Sequence, residues 1–440
     1  MKIIKKIRKK RRKLIRRFFK SPIKKRLAQY SKTHPRFRKC WKKILYTKRR
    51  IYYWWRGLGV TPDEKTVVFN SFNGKTYGCS PKAVYEYMLT QDEFKDWTFI
   101  WAFKNAKKHR FLEENPNTIV VKQTARVYEK KLIRAKYWIT NYRVPDHVWP
   151  QKDQVYVQCW HGTPLKRLGY DLETSENAID SIADIRKKYA MDAEKFNYIL
   201  SPSGFASEKF TSAWNLKETK MEDKVMEIGY PRNDFLINHT QEDIRMIKEK
   251  LEIPEDKKVI LYAPTWRENQ HLPGEGYQFQ LPVDFKRWRE VLGEEYVVLF
   301  RAHYFISNSF EFEAFQGFVY DVSQMDDINP LYLAADVLIT DYSSVFFDYA
   351  NLRRPMLFFT YDLEKYRSVL RGFYIDVEEE LPGPMLMTTD EVIGALQNIE
   401  KVVTEYSDKY TAFCDKYCAW EDGTAAKKVV ETVFSDKSNK

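Results

Sequence analysis

The segment QVYVQCWHGTPLKRLGYD, residues 154–171, contains the pattern from which the fold of the chain can be worked out. Its first half alternates apolar residues with others, which predicts a β-strand over 154–161. The strand pattern stops at His161, and Gly162 follows with the conformational freedom that a sharp turn needs. Pro164 suits the first turn of a helix, where its missing N–H is no loss. The segment therefore predicts a strand that ends in an imidazole and passes directly into a helix.

A helix that begins directly after a strand presents free backbone N–H groups and the positive end of its dipole to one space. Lys166 and Arg167 follow the predicted helix start and add positive charge. This layout predicts a site for a phosphorylated ligand, with the titratable ring of His161 beside it.

The composition is that of a globular protein, with 440 residues of which 44% are apolar and 30% charged. This length is enough for two or three domains with large cores. The five cysteines form no CxxC pair, so we expect free thiols, no zinc site and a reducing compartment. No uncharged apolar run reaches the roughly 18 residues of a spanning helix, and the first residues lack a signal-peptide pattern.

The net charge of +14 is concentrated at the start of the chain. Residues 1–56 contain 25 Lys and Arg and no Asp or Glu, whereas the remainder carries 49 basic and 60 acidic residues. The apolar side chains of residues 1–20 fall near one helical face, and aromatic residues follow as far as Trp55. A basic amphipathic helix with aromatic residues is typical of attachment to an anionic membrane surface. A solvated basic tail and nucleic-acid binding are the less favoured alternatives.

Apolar strand candidates alternate with helical stretches from about residue 60 onward, which predicts parallel sheets covered on both faces. The pattern reaches a polar connecting helix at 240–252 and then begins again. We therefore predict an α/β fold of two Rossmann-like, doubly wound domains, 57–245 and 246–440, facing a central cleft. The strand candidates are 65–72, 97–103, 118–122, 136–142, 154–161, 198–202 and 224–230, then 258–263, 296–302, 317–321, 336–340, 355–359 and 373–376.

Polar residues collect where these strands end, and ligands of open α/β sheets bind beyond the carboxyl ends of the strands. His161 lies at such an end in the first domain and His303 in the second. One imidazole is suited to take a hydroxyl proton and the other to donate to a phosphate oxygen, although a lone histidine is usually structural. The other residues at strand ends are Arg232, Pro264, Thr265, Arg267, Arg301, Ala302, Asp341, Ser343 and Ser344.

The stretch TDYSSVFFDYA, residues 340–350, has two interpretations. Ser343 and Ser344 suit the N-cap of a helix, which is a purely structural role. The functional alternative is that both hydroxyls and the helix N–H groups bind phosphate oxygens. Asp348, one turn later, would then orient a serine or accept a ribose hydroxyl.

Several motifs of other enzyme classes do not occur in the sequence. It contains no Walker A motif, no Asp-x-Asp triplet and no HExxH or similar metal cluster. We therefore expect neither a metal nor a cofactor. Phosphate charge would be met by helix termini and by basic side chains, namely those of Lys166, Arg232, Arg267, Arg301 and Arg371.

Seven motifs in this order resemble the CDP-glycerol glycerophosphotransferases, the teichoic acid primases and polymerases of Gram-positive bacteria. They are HGTPLKRLG, GYPRND, LYAPTWR, RAH, TDYSSVFFDYA, RPMLFFTYDLEKY and RGFY, and the resemblance covers roughly residues 60–425. It implies a GT-B fold, with the active site between two Rossmann-like domains. It also implies a peripheral enzyme on the cytoplasmic face of the cell membrane, in agreement with the basic leader 1–56.

The resemblance implies a role for individual residues. His161 matches the histidine proposed as general base, and His303 matches a second essential histidine that contacts the pyrophosphate. Tyr304 stands where the family usually has proline, a departure that leaves the imidazole in place and bears on the local turn. The substrate-binding positions are His161, Gly162, Thr163, Pro164, Leu165, Arg232, Pro264, Thr265, Arg301, Ala302, His303, Ser343, Ser344 and Asp348.

The implied reaction is transfer of a polyol phosphate, with glycerol phosphate favoured, from a CDP-polyol donor to a lipid-linked polyol-phosphate or saccharide acceptor. CMP is released, and no nucleic acid takes part. CDP-ribitol as donor, a GT-B glycosyltransferase that uses a nucleotide sugar, and a non-enzymatic membrane-bound scaffold are the alternatives. The sequence leaves open the acceptor, the number of units added and assembly into a homo-oligomer.

Overall fold

The computed structural model describes residue 30 and residues 34–173, 181–265, 271–272, 276–277, 283–302, 312–363 and 372–435. Contacts within the chain divide it into two units. One comprises the residues up to Val60 together with Pro145–Trp149, and the other comprises Thr61–Val144 and the chain from Pro150 onward.

The first unit is built on one long helix, α1 (Pro35–Gly57). Pro35 occupies its first turn, where no N–H partner is needed. The Arg50 guanidinium lies 4.8 Å from the centroid of the Trp149 ring. The helix exposes several large apolar side chains, and its last turn contains the basic residue Arg56. The amphipathic helix predicted within residues 1–20 lies outside the described residues. Within the described ranges, none of the helices has both the length and the apolar character needed to cross a membrane.

The second unit begins with a parallel seven-stranded sheet in the order β3-β2-β1-β4-β5-β6-β7. Its strands are near-continuous apolar runs because helices cover both faces, and Val67, Trp101 and Ile139 are fully buried in its core. The strands are β1 (Asp63–Asn70), β2 (Thr98–Phe103), β3 (Thr118–Lys122), β4 (Ala135–Thr140), β5 (Val155–Gln158), β6 (Tyr198–Ser201) and β7 (Val225–Glu227).

The helices of this half follow the strands in alternation. They are α2 (Cys79–Leu89), α3 (Ala125–Arg134), α4 (Ile182–Ala193), α5 (Gly204–Ala213) and α6 (Asp234–Asn238). The connecting helix α7 (Gln241–Lys250) begins with a capping box, in which Thr240 and Asp243 satisfy each other's backbone N–H groups. This helix confirms the polar connecting helix predicted at 240–252.

A second parallel sheet has six strands in the order β12-β11-β8-β13-β14-β15. The strands are β8 (Lys258–Ala263), β11 (Tyr296–Phe300), β12 (Val319–Asp321), β13 (Val337–Thr340), β14 (Met356–Phe359) and β15 (Met385–Leu386), with a short antiparallel hairpin of β9 (His271–Leu272) and β10 (Gly276–Tyr277). The helices are α8 (Phe285–Leu292), α9 (Asn329–Ala334), α10 (Val345–Tyr349), α11 (Val377–Glu380), α12 (Thr389–Gln397), α13 (Ile399–Tyr417) and α14 (Ala425–Phe434).

Both sheets reverse their strand order beside the first strand, between β1 and β4 and between β8 and β13. This is the Rossmann order, and ligands bind at such switch points. The two sheets confirm the predicted α/β fold with two Rossmann-like domains.

One predicted strand, 373–376, is wrong. Phe373 forms only an isolated antiparallel bridge with Lys166, and the last strand of the second sheet is the two-residue β15. Because this bridge joins residues far apart in sequence, local apolar pattern could not distinguish it from a sheet strand.

The last helix, α14, returns to the first sheet. The Phe434 ring centroid lies 4.4 Å from that of Tyr137. At the start of α14, the Asp234 carboxylate accepts the N–H groups of Ala425 and Ala426 at 2.9 and 2.7 Å. The end of the chain therefore links the two Rossmann-like domains.

Candidate active site

The described site residues follow the carboxyl ends of parallel strands in both sheets. His161 follows β5, and Arg232 follows β7. In the second sheet Pro264 and Thr265 follow β8, Arg301 and Ala302 follow β11, and Ser343 and Ser344 follow β13. The residues of the second sheet are half-buried, so they are still accessible to a ligand. The edge of each sheet at which Rossmann-like domains bind ligands therefore carries the predicted residues.

A strained residue precedes His161. Trp160 has φ of 50°, in the left-handed region that bulky residues avoid. Its N–H donates to Gln158 Oε1 at 3.0 Å, and its ring packs 4.8 Å from that of Trp214. These contacts fix the backbone that presents His161, and strain of this kind is typical of functional sites. This conformation could not be predicted from the sequence, because nothing distinguishes Trp160 from an ordinary core residue.

Residue His161 is exposed, and the rings of Phe72 and Trp160 lie beside its imidazole. The Phe72 ring stands perpendicular to it with the centroids 6.1 Å apart. Desolvation by the surrounding protein and the positive charge of Arg232 lower the pKa of His161 to about 4. The imidazole is therefore neutral at physiological pH and accessible, which are the two properties that a proton acceptor needs.

The segment after His161 is extended, so the helix predicted to begin at Pro164 is wrong. The N–H of Tyr374 donates to Leu165 O at 2.8 Å, and the N–H of Arg167 donates to Gly372 O at 3.1 Å. The backbone groups that a helix would pair internally are paired instead with the second domain. No helix dipole is therefore available at Pro164.

The turn at Gly162 meets the second domain at Ser344. A methyl group added to Gly162 would lie 3.1 Å from Ser344 Oγ and 3.4 Å from an Arg232 nitrogen, and φ of 151° also favours glycine. Ser344 occupies the N-cap position of α10, but its hydroxyl makes no capping hydrogen bond. This observation favours the functional interpretation of the hydroxyl over the structural one.

A buried ion pair joins the two domains beneath this turn. Arg232 donates to both carboxylate oxygens of Asp348 at 2.6 Å, and its other terminal nitrogen donates to His161 O at 2.8 Å. The two side chains are 8% and 6% exposed. Both were predicted to bind the donor. In this arrangement they bind each other, and Arg232 holds the backbone of His161.

Three further residues extend this network. Asn233 donates to Asp348 Oδ1 at 3.2 Å and to Glu421 Oε1 at 2.8 Å, and Tyr230 N–H donates to Glu421 Oε2 at 3.0 Å. Burial raises the pKa of Glu421 to about 8, so this carboxyl is mostly protonated at neutral pH. The segment before α14 is thereby tied to the first domain, and Asn233 connects it to Asp348.

In the second sheet, hydrogen bonds fix the loops that carry the residues predicted to bind the CDP-polyol. Thr265 N–H donates to Asp341 Oδ1 at 2.8 Å, which joins the loops after β8 and β13. Arg301 donates through one nitrogen to Val322 O at 3.2 Å and to Met325 O at 3.0 Å. Burial lowers the pKa of Arg301, but an arginine stays charged at neutral pH.

Other predicted residues lie outside the described ranges, namely Arg267, His303, Tyr304 and Arg371. The placement of the second predicted catalytic histidine relative to His161 therefore remains a prediction. Among the residues that the structure describes, no three or more His, Cys, Asp or Glu side chains are grouped so that they could hold a metal ion. All five cysteines are free thiols.

The family model described as CDP-Glycerol:Poly(glycerophosphate) glycerophosphotransferase matches residues 56–435. A teichoic acid poly(glycerol phosphate) polymerase of Bacillus subtilis is 43% identical over 371 residues, which is 84% of this chain but 48% of that protein. The chain thus spans about half the length of this relative. A teichoic acid glycerol-phosphate transferase of Staphylococcus aureus is 38% identical over 87% of this chain and 96% of its own length.

Solved structures of the wall teichoic acid polymerase TagF are similar to most of this chain. One of them has a TM-score of 0.79 and 36% sequence identity, and covers 90% of this chain and 96% of its own. This similarity confirms the predicted GT-B fold. Together with the family model, it shows that the chain belongs to the CDP-glycerol:poly(glycerophosphate) glycerophosphotransferase family.

Proposed function

We propose that the protein transfers glycerol phosphate from CDP-glycerol to a hydroxyl of a membrane-linked acceptor in teichoic acid synthesis, with release of CMP. The observation that carries this proposal is the neutral, accessible imidazole of His161 at the turn where Gly162 meets Ser344 of the second domain. The relatives described above are named as glycerol phosphate polymerases or transferases, which supports glycerol over ribitol.

In the proposed mechanism the acceptor hydroxyl attacks the phosphorus atom that carries glycerol. Its proton passes to His161, the bond from that phosphorus to the bridging oxygen breaks, and CMP leaves with the electron pair. Ser343, Ser344, Arg301 and His303 donate to the phosphate oxygens as charge shifts toward the leaving group. The two Rossmann-like domains align donor and acceptor, which lowers the barrier by removing the entropy cost of encounter.

A donor panel tests the proposal. The full chain is incubated with CDP-glycerol, CDP-ribitol or a UDP-sugar and a glycerol-phosphate-terminated acceptor, and the released nucleotide is measured. We expect CMP release from CDP-glycerol to be at least about tenfold faster than from CDP-ribitol, which corresponds to ~1.4 kcal/mol of discrimination. Release of UDP from a UDP-sugar would support the glycosyltransferase alternative, and no CMP from either CDP-polyol would support the scaffold.

We further propose peripheral attachment to the cytoplasmic face of the cell membrane through residues 1–56. The charge of this segment supports it, since basic residues near an anionic surface contribute about 1 kcal/mol each. The exposed face of α1 adds apolar and aromatic side chains, which favour the headgroup region, namely Ile44, Ile51, Tyr52, Trp54 and Trp55.

Deletion of residues 1–56 is therefore expected to abolish co-sedimentation with phosphatidylglycerol-containing vesicles while activity on a short soluble acceptor persists. A Trp54→Ser/Trp55→Ser variant keeps every charge and should bind these vesicles more weakly than the full chain. Vesicles of pure phosphatidylcholine serve as the control, since they lack the anionic surface. Equal vesicle binding with and without residues 1–56 would overturn this part of the proposal.

A further inference from the structure

The loop Val322–Asp327, which follows β12, contacts the first domain through two carboxylates. Asp327 accepts a hydrogen bond from Lys82 at 2.7 Å, and Asp326 accepts one from Lys108 at 2.7 Å. The Lys82 and Asp327 side chains are only 22% and 16% exposed. A pair sheltered in this way is screened less by salt than an exposed one, so its attraction is stronger.

The two backbones approach each other closely at the same place. The N–H of Tyr77 points at Asp326 Oδ2, 3.4 Å away. A methyl group added to Gly78 would lie 3.2 Å from Asp326 O and 3.4 Å from the Cα of Asp327. The loop is therefore packed against the start of α2 as well as held there by charge.

The same loop also holds two residues of the second domain that are predicted to bind the CDP-polyol, Arg301 and Ala302. Its carbonyl groups at Val322 and Met325 accept both hydrogen bonds from the same Arg301 nitrogen. Ser323 Oγ accepts the N–H of Ala302 at 3.1 Å. One short loop thus fixes Arg301 through its backbone and reaches the first domain through its carboxylates.

We propose that Asp326 and Asp327 are positioning residues. By binding Lys82 and Lys108 they tie this loop to the first domain, and they thereby fix the position of Arg301 relative to His161. This inference rests on the proposed function, because it assigns the reacting phosphate to the space between Arg301 and His161. The two aspartates do not touch the substrate. They act by holding the second domain, whose Arg301 binds the phosphate, against the first domain, which carries His161 as the base.

Charge reversal tests the proposal. Asp327→Lys places two cations together and is expected to lower kcat at least about tenfold, because misplacement of reacting groups is costly. Binding of CDP-glycerol to the second domain, measured by calorimetry, should change less than about threefold. The double variant Lys82→Glu/Asp327→Lys restores an opposite-charge pair and should recover most of the lost kcat. Unchanged turnover in Asp327→Lys, or a double variant no better than Asp327→Lys, would overturn the proposal.

The control is Asp92→Lys. Asp92 pairs with Lys95 on the surface of the first domain, where the side chains are 90% and 75% exposed. The Asp92→Lys variant makes the same change of charge at a site away from the loop, so its kcat should stay at the wild-type value. Loss of kcat in this variant equal to that in Asp327→Lys would count against a positioning role.

Hydrogen exchange separates this inference from the proposed function, because it needs no turnover. Peptides covering residues 71–80 and 319–328 should exchange faster in Asp327→Lys than in the wild type, and at the wild-type rate in the double variant. If the wild type turns over none of the donors, the proposed function is wrong. The exchange data would still show whether the loop Val322–Asp327 ties the two domains together. Identical exchange in all variants would contradict the inference.

Discussion

Replacement of His161 by alanine is expected to lower kcat by about a thousandfold, the usual contribution of a general base. Binding of CDP-glycerol should largely persist, because the residues of the second domain that we propose to bind phosphate are unchanged. Single-turnover kinetics and calorimetry measure the two quantities separately. A loss within about tenfold, or ~1.4 kcal/mol of barrier, would show that His161 is not the base.

The pH dependence gives an independent check on the same residue. The pKa of His161 is lowered to about 4, so the base is lost only as the pH falls toward that value. We expect kcat/KM to stay level from about pH 8 to 6 and to decline only at lower pH, as the pH approaches about 4. The variant His239→Ala, which removes a histidine bonded to Leu236 O outside the site, should keep the wild-type profile. A decline of kcat/KM that already begins at or above pH 6.5 would contradict the assignment of His161 as the general base.

The variant Asp348→Leu is expected to destabilise the protein by about 3–5 kcal/mol, because it leaves the buried guanidinium of Arg232 without its partner. Urea unfolding measures this change. Turnover should fall as well, since Arg232 then has no fixed position from which to hold His161 O. The expected loss is larger than that for an exposed ion pair, which contributes about 1 kcal/mol at most.

The double variant Arg232→Met/Asp348→Leu distinguishes the two roles of this pair. An apolar replacement of a buried ion pair is often close to neutral, so most of the stability should return. Turnover should stay low, because no side chain donates to His161 O. Recovery of both stability and turnover would show that the pair has no part in positioning the histidine.

Local patterns in the sequence predicted the sheets well. Runs such as 65–72 and 258–263 contain consecutive apolar residues because parallel strands are buried on both faces, and they correspond to β1 and β8. The order of these runs, interrupted by the polar helix at 240–252, was enough to predict two doubly wound domains. The site residues at strand ends followed from the same pattern, since the carboxyl ends of parallel strands meet at one edge.

Contacts between residues far apart in sequence were not predicted. The extended course of Leu165 to Arg167 depends on pairing with Gly372 and Tyr374, and nothing in HGTPLKRLG indicates that partner. The pairing of Arg232 with Asp348 and the contacts of Asp326 and Asp327 with two lysines depend in the same way on how the domains meet. Composition alone shows that such residues are charged but not which charges they face.

Phosphorus NMR of CDP-glycerol during turnover by the full chain, with a glycerol-phosphate-terminated acceptor, follows both phosphorus atoms of the donor. We expect the two coupled diphosphate signals to be replaced in equal amounts by the monoester signal of CMP and by a new phosphodiester signal in the polymer. Such a result means that the bond between the bridging oxygen and the glycerol-bearing phosphorus was broken. Accumulation of CDP with its diphosphate intact would contradict the transfer of glycerol phosphate.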